Sequence, residues 1–221
     1  MFPLRDVIPS RTTPYITVTL IILNALAWFY ELALPRDVLP VFLQVYGVVP
    51  ADFSPPTLIS SMFLHGSWMH VIGNMWWLWI FGDNVEDRLG HGRYVVFYLL
   101  CGIVAALGQI AIDPYSTLPT IGASGAIAGV MGAYIVLYPH SRVLTLVPIF
   151  FYIEIIELPA VLLLGIWFVM QLFSAGAVAV TSSSGGGGGG VAFMAHVAGF
   201  VVGMAAVIVL RKRDRPDLWA A

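Results

Sequence analysis

A serine and a histidine open two different apolar segments, and together they could perform nucleophilic chemistry. Ser124 stands in the stretch TIGASGAIAG, and His196 stands in AFMAHVAG. A serine hydroxyl is a weak nucleophile unless a base within hydrogen-bond reach removes its proton, and histidine has a suitable pKa for that task. Ser124 could instead bond a backbone carbonyl in a seam of small residues, and His196 could be a packing or proton-relay residue.

A second polar group starts another apolar segment. Ser67 can cap a helix that begins there, which places His70 in its first turn and Asn74 one turn later on the same face. A carbonyl under attack develops negative charge on its oxygen, and preorganised donors stabilise that charge. His70, Asn74 and the amide of Ser124 could form such an oxyanion hole. The pattern His-x-x-x-Asn alone is also compatible with a polar contact between helices.

The composition indicates which elements carry these residues. Hydrophobic residues make up 59% of the 221 residues and charged residues only 10%, so the chain cannot cover itself with a polar surface. We therefore expect an integral membrane protein with an all-α fold. A helix needs about 20 apolar residues to cross a bilayer. Six segments meet this requirement and predict a six-helix bundle, at about residues 15–34, 66–86, 93–112, 120–138, 158–178 and 191–210.

The positive charges predict the orientation of the bundle, because Arg and Lys in short loops favour the cytoplasmic side. With the N-terminus inside, nine of the ten Arg and Lys residues are cytoplasmic, and only Arg36 lies outside. The sequence thus predicts an N-in, C-in protein. Its parts are a short cytoplasmic segment over 1–14, a helical domain over 15–210 and a basic cytoplasmic tail over 211–221.

In this orientation the second, fourth and sixth helices all begin near the outer surface. Ser124 is expected about four residues into its helix and His196 about five into its own, so both lie roughly 6–8 Å below the outer rim. Close packing of the two helices is expected because small residues line one face of each. These residues are Gly122, Gly125, Gly129 and Gly132 on the fourth helix, and Gly199 and Gly203 on the sixth.

Other chemistries have less support in the sequence. No His-Glu-x-x-His motif is present, and no carboxylate shares the turns of the outer-side histidines, so we expect no metal. The lone Cys101 has no partner for a disulfide or a zinc pattern. The glycine run over 185–190 precedes no Lys-Ser or Lys-Thr pair and has the composition of a linker. No basic aromatic surface predicts binding of nucleic acid.

The motifs together resemble those of the rhomboid intramembrane serine proteases, of the bacterial type with a six-helix core. The resemblance covers about residues 15 to 210. Four segments carry it: His65-x4-His70-x3-Asn74, the stretch GDNVEDRLG over 82–90, Gly122-Ala123-Ser124-Gly125 and Ala195-His196-Val197-Ala198-Gly199.

The resemblance implies a catalytic dyad of Ser124 and His196, with His70, Asn74 and the Ser124 amide as the oxyanion hole. It also implies a wet cavity open to the outer side, no cofactor and no third catalytic acid, while His65 takes a structural position. The expected substrates are single-span proteins of the lipid bilayer, and the expected location is the cell membrane, the inner one in a bacterium. In some members of the family, an aromatic residue at the position of Ala128 packs against the catalytic histidine. The present sequence has alanine there, so other groups must hold His196.

Two other functions stay open. A catalytically silent rhomboid-like binding protein is disfavoured because both Ser124 and His196 are retained. A proton-coupled transporter could use the histidines as a relay, but paired repeats and suitably placed membrane carboxylates are missing. The Ser/Gly tract over 181–190 would lie above His196, either as a mobile cap or as an inert linker.

Overall fold

The elements of the chain are mostly helices, with one small sheet. The computed structural model describes residues 2–149, 152–183 and 192–212, and it forms eight α-helices and three β-strands within these ranges. The helices are α1 (Tyr15–Ala33), α2 (Leu39–Tyr46), α3 (Thr57–Ser60), α4 (Trp68–Leu89), α5 (His91–Ile112), α6 (Ser124–Leu137), α7 (Ala160–Ser183) and α8 (Phe193–Leu210). The strands are β1 (Phe2–Asp6), β2 (Arg142–Ile149) and β3 (Tyr152–Pro159).

Four helices among the described residues are long and apolar enough to cross a membrane: α1, α5, α7 and α8. Two further helices lie in segments that the sequence predicted as spans. Helix α4 has 22 residues, but its last two turns carry several charged residues. Helix α6 is apolar and has only 14 residues. Length and composition therefore support four spans directly.

The sheet was not predicted, so the expectation of an all-α fold is wrong for residues 2–6, 142–149 and 152–159. Its order is β1-β2-β3 and both pairings are antiparallel, with Phe2 opposite Leu146 and Arg142 opposite Pro159. A strand is recognised in a sequence by alternation of apolar and polar residues. In β2 and β3 apolar residues occupy both faces, so that alternation is too weak to separate a strand from the surrounding apolar helices.

Two predicted boundaries also differ from the structure. The helix expected over 120–138 begins only at Ser124, because Thr120 pairs with Val48 in a β-bridge and Gly122 has a φ of 120°, which a helix does not allow. The Ser/Gly tract over 181–190 was predicted as a loop, but its first three residues, 181–183, belong to α7. Residues 184–190 lie outside the described residues.

Helices α6 and α8 pack with their backbones in contact, which brings the starts of both helices together. A Cβ atom added to Gly199 would lie 2.0 Å from the carbonyl oxygen of Gly125, and one added to Gly203 would lie 2.0 Å from that of Gly129. Real Cβ atoms essentially never come closer than 3.0 Å to such an atom. Only glycine therefore permits this interhelical distance.

A buried carboxylate joins α1 to α4 and α5. Glu86 accepts hydrogen bonds from the amides of Ile16 and Thr17, at 2.9 and 2.8 Å, and from the hydroxyl of Thr17 at 2.7 Å. His91 Nδ1 lies 2.6 Å from the same carboxylate. Pro14, the N-cap residue of α1, makes no side-chain cap, so Glu86 supplies the negative charge that favours a helix N-terminus.

The end of the bundle that holds the sheet also holds the C-terminal ends of α4, α6 and α8. The hydroxyl of Tyr134 in α6 donates to Asp6 of β1 at 2.6 Å, and the amide of Lys212, after α8, donates to the carbonyl of Arg88 at 2.9 Å. These three helices run in the same direction, so their N-terminal turns meet at the opposite end.

Candidate active site

Ser124 and His196 are in direct hydrogen-bond contact. Ser124 Oγ lies 2.7 Å from His196 Nε2, and His196 is only 7% exposed. Ser124 is the first residue of α6 and not the fifth, while His196 is the fourth residue of α8. The two side chains still meet, because the loop that precedes α6 carries Ser124 to the level of the first turn of α8.

The other ring nitrogen of His196 contacts a residue that sequence reasoning missed. His196 Nδ1 lies 2.7 Å from Oε1 of Gln171, in the middle of α7. The ring of Trp167, one turn earlier in α7, packs against the imidazole with its centroid 5.7 Å away. The sequence did contain a signal that could have identified Gln171. It is a polar residue within the apolar predicted span 158–178, and polar groups inside a span tend to be functional.

His70 directs one ring nitrogen towards the loop before Ser124. The amide of Gly66 donates to His70 Nδ1 at 3.3 Å, so the proton of a neutral ring is on Nε2. A Cβ on Gly122 would lie 2.6 Å from His70 Nε2, which means that only glycine can accept this ring so close to the backbone. The N–H of His70 thus faces the segment two residues before Ser124.

Asn74 lies beside His70 on α4 and is oriented by His65. Asn74 Nδ2 lies 2.9 Å from His65 Nε2, and His65 Nδ1 lies 3.2 Å from the carbonyl of Phe63. The carbonyl can only accept, so His65 is protonated on Nδ1 and accepts from Asn74 on Nε2. The amide of Asn74 has a second N–H, and its nitrogen is 3.6 Å from the Cβ position on Gly122.

The segment that carries His65 is held by a carboxylate of α1. Glu31 is 2% exposed, and its two oxygens lie 3.1 and 3.3 Å from the amide nitrogen of His65. This contact was not predicted from the sequence, because Glu31 and His65 are separated by the whole first loop. It fixes the backbone from which the His65 ring reaches Asn74.

A cavity of about 800 Å3 lies between α4, α5, α6, α7 and α8. Its wall includes Ser124, His196, His70 and Asn74 together with Trp77 and Trp167. The volume lies in the range of pockets that hold small ligands or short peptide segments. Among the described residues, no group of three or more His, Cys, Asp or Glu side chains is placed to hold a metal ion.

The backbone of the loop and helix start adds a further donor to this wall. Ser124 is the first residue of α6, and the first amides of a helix have no acceptor within the helix. The Ser124 amide is therefore available at the positive end of the helix dipole. The arrangement unites a serine, a base and several N–H donors, which are the groups that acyl transfer requires.

Comparison with known proteins relates this geometry to a family. Residues 54–213 match the family model described as Rhomboid domain. The chain is 33% identical over 112 residues to "Rhomboid protein 1, mitochondrial" of Saccharomyces cerevisiae, covering 48% of this chain and 32% of that protein. It is 35% identical over 85 residues to "Rhomboid protease GluP" of Bacillus subtilis, covering 38% of this chain and 16% of that protein.

A human protein is also similar. The chain is 35% identical over 91 residues to "Presenilin-associated rhomboid-like protein, mitochondrial" of Homo sapiens, covering 39% of this chain and 23% of that protein. The matched region is thus a third or less of the length of each of these three relatives. The domain match, however, spans well over half of the present chain and includes the five helices that line the cavity, so this protein belongs to the rhomboid family.

Proposed function

We propose that the protein is an intramembrane serine endopeptidase that cleaves transmembrane segments of membrane proteins with Ser124 and His196. The observation that carries this proposal is the 2.7 Å contact between Ser124 Oγ and His196 Nε2. Family membership supports the reaction class, and the N–H groups of His70, Asn74 and Ser124 around the same cavity support it further.

The reaction proceeds in two acyl-transfer steps. Ser124 Oγ attacks the carbonyl carbon of the scissile peptide while its proton moves to His196 Nε2, and the carbonyl oxygen becomes an oxyanion. Donors from His70, Asn74 and the Ser124 amide stabilise that charge. His196 then protonates the leaving amine as the C–N bond breaks. A water molecule, deprotonated by His196, releases the acyl group and restores the serine hydroxyl.

We propose a six-span, N-in and C-in topology, with the cavity open to the outer side of a cell membrane. Arg88, Arg93, Arg211 and Lys212 all lie at the end of the bundle that holds the sheet, which suits the cytoplasmic side. Helix α6 is about 21 Å long, against a hydrocarbon core of about 30 Å. If its C-terminal end lies at the inner boundary, Ser124 lies several ångströms below the outer one.

The substrate class follows from the position of the serine within the bilayer. We propose single-span membrane proteins as substrates, because their cleavage site can reach Ser124 without leaving the lipid. A substrate helix satisfies its carbonyls internally and must unwind before one can enter the cavity. Segments with small or helix-breaking residues near the outer end of the span are therefore expected to be cleaved first.

The test compares purified wild-type protein with Ser124→Ala and His196→Ala, reconstituted with a panel of single-span proteins. We expect the wild type to cleave some of them and to react with a fluorophosphonate at Ser124. Both variants should lose cleavage, and the double variant should be no worse than either, because the two residues act as one unit. A chelator should have no direct effect.

Each alternative function gives a different result. A silent binding protein would retain a single-span protein without cutting it, and Ser124 would not react with the fluorophosphonate. A proton-coupled transporter would acidify proteoliposomes in a way that depends on its solute, and it would tolerate Ser124→Ala. Substantial cleavage by Ser124→Ala would disprove the proposed mechanism.

A further inference from the structure

We propose that Gln171 of α7 is a positioning residue that holds His196 in the tautomer able to deprotonate Ser124. This inference rests on the proposed protease function. It assigns to a neutral amide the role that an acidic residue has in a catalytic triad, where the third member fixes the tautomer and orientation of the histidine.

The hydrogen bonds of His196 determine its tautomer. Gln171 Oε1, a carbonyl oxygen, lies 2.7 Å from His196 Nδ1 and can only accept, so Nδ1 carries the proton. His196 Nε2 then presents its lone pair to the hydroxyl of Ser124, also at 2.7 Å. The chain of donors therefore runs from Ser124 O–H to His196 Nε2, and from His196 Nδ1–H to Gln171.

The opposite arrangement would block the reaction. Without an acceptor at Nδ1, the neutral ring can carry its proton on Nε2, where it would donate to Ser124 Oγ and could not accept the proton of that hydroxyl. The Gln171 carbonyl disfavours the tautomer protonated on Nε2, because in that tautomer the carbonyl oxygen would face a lone pair on Nδ1. During attack the proton from Ser124 reaches Nε2, and the Nδ1–H bond to Gln171 strengthens as the ring becomes positive.

A neutral partner suits the surroundings of His196. The imidazole is buried within the apolar start of α8. An ionised carboxylate at position 171 would be strongly destabilised there by the loss of its hydration. An amide oxygen accepts the same hydrogen bond without that cost. This explains how the ring can be oriented although no carboxylate of residues 2–149, 152–183 and 192–212 lies within hydrogen-bond distance of His196 Nδ1.

Helix α7 therefore holds the His196 ring, which Ala128 cannot do. Ala128 on α6 has no aromatic ring to offer, whereas Trp167 and Gln171, four residues apart on one face of α7, supply a ring against the imidazole and an acceptor for its N–H. Gln171 does not belong to the residues that line the cavity. It can thus affect the rate through His196 without touching the substrate.

The experiment compares Gln171→Met, which keeps the volume and removes the acceptor, with Gln171→Glu, which keeps an acceptor. Gln44→Met serves as the matched control, because Gln44 is an exposed residue of α2 whose side chain donates to the carbonyl of Thr117. Cleavage of a single-span substrate in liposomes gives kcat and KM. Selective 15N labelling of histidine reports the protonation of the two nitrogens of His196 by NMR, with His196→Ala identifying its signals.

For Gln171→Met we expect kcat to fall about 10–100-fold, the loss seen when the hydrogen-bond partner that orients a metal-binding histidine is removed, with KM nearly unchanged. Gln171→Glu should be clearly more active than Gln171→Met, and Gln44→Met should match the wild type. The wild-type spectrum should show a protonated Nδ1 and an unprotonated Nε2 for neutral His196.

Two results would overturn the inference. One is a neutral His196 protonated mainly on Nε2 in the wild type. The other is a kcat for Gln171→Met within twofold of the wild type. The NMR result does not depend on whether the proposed function is right, because the measurement needs no activity. The kcat result does depend on it. The proposed function itself fails if the wild type cleaves nothing and Ser124 does not react.

Discussion

Gly199→Ala tests whether the contact between α6 and α8 sets the distance between Ser124 and His196. Gly199 lies three residues after His196, and its backbone faces the carbonyl of Gly125, the residue next to Ser124. The substitution adds one methyl group, touches neither Ser124 nor His196 and replaces glycine by the best helix former. Any loss of activity must therefore come from the spacing of the two helices.

The magnitude follows from the distance in the structure. The new Cβ would lie 2.0 Å from the carbonyl oxygen of Gly125, whereas such contacts essentially never fall below 3.0 Å. The clash is with backbone, so the helices must separate by about 1 Å. A 1 Å displacement of a reacting group can cost about 100-fold in rate. Overpacking of this kind also costs about 1–3 kcal/mol of stability.

The assay measures kcat for a single-span substrate in liposomes and the unfolding midpoint in detergent. Gly203→Ala is the first control, because it creates the same 2.0 Å contact one turn further from the dyad, against Gly129. It should lose similar stability but less activity. Gly165→Ala on α7 is the second control: nothing lies within 4 Å of the added atom, so both quantities should stay at wild-type values or rise slightly.

Equal losses of kcat in Gly199→Ala and Gly203→Ala would show that activity follows overall stability and not the spacing at the dyad. A Gly199→Ala protein with wild-type kcat and an unchanged midpoint would refute the packing argument altogether. In that case the bundle could absorb a methyl group at the contact, and the glycines would need another explanation.

Three further predictions concern other residues. Asn74→Ala should lower kcat about 100–1,000-fold with a smaller change in KM, as for one oxyanion donor, and an unchanged rate would remove Asn74 from the site. Burial raises the pKa of Asp6 from 3.8 to about 6, more than the Tyr134 hydroxyl lowers it. The folded protein then binds this proton more tightly than the unfolded chain, so stability should fall as pH rises between these values. In detergent unfolding, Asp6→Asn should reduce the loss of stability with rising pH. An unchanged pH profile in this variant would contradict the assignment to Asp6. Glu86→Gln should destabilise the protein by about 1–3 kcal/mol in the same assay, because an amide has one acceptor oxygen for donors that now use two, and an unchanged midpoint would rule out this anchoring role.

Much of the fold class could be predicted from the sequence because bilayer helices depend on local composition. The apolar segments predicted each of the six long helices to within a few residues at most ends, and the domain match bears out the family. The prediction failed where local signals were weak. The start of α6 depends on a bridge between Thr120 and Val48, and the sheet depends on a pairing of residues 2–6 with 142–149, both of which join distant parts of the chain.

The sequence by itself determined which residues could react, because a nucleophile, a base and a set of N–H donors are recognised by type and local spacing. Ser124, His196 and Asn74 were identified in this way as candidate site residues. Only the tertiary structure decided the distances between them and the partner of His196. Gln171 lies 25 residues before His196 on another helix. No local sequence pattern specifies which face of α7 contacts the His196 imidazole. That contact depends on how closely the helices pack, and the glycine contacts between α6 and α8 control the packing.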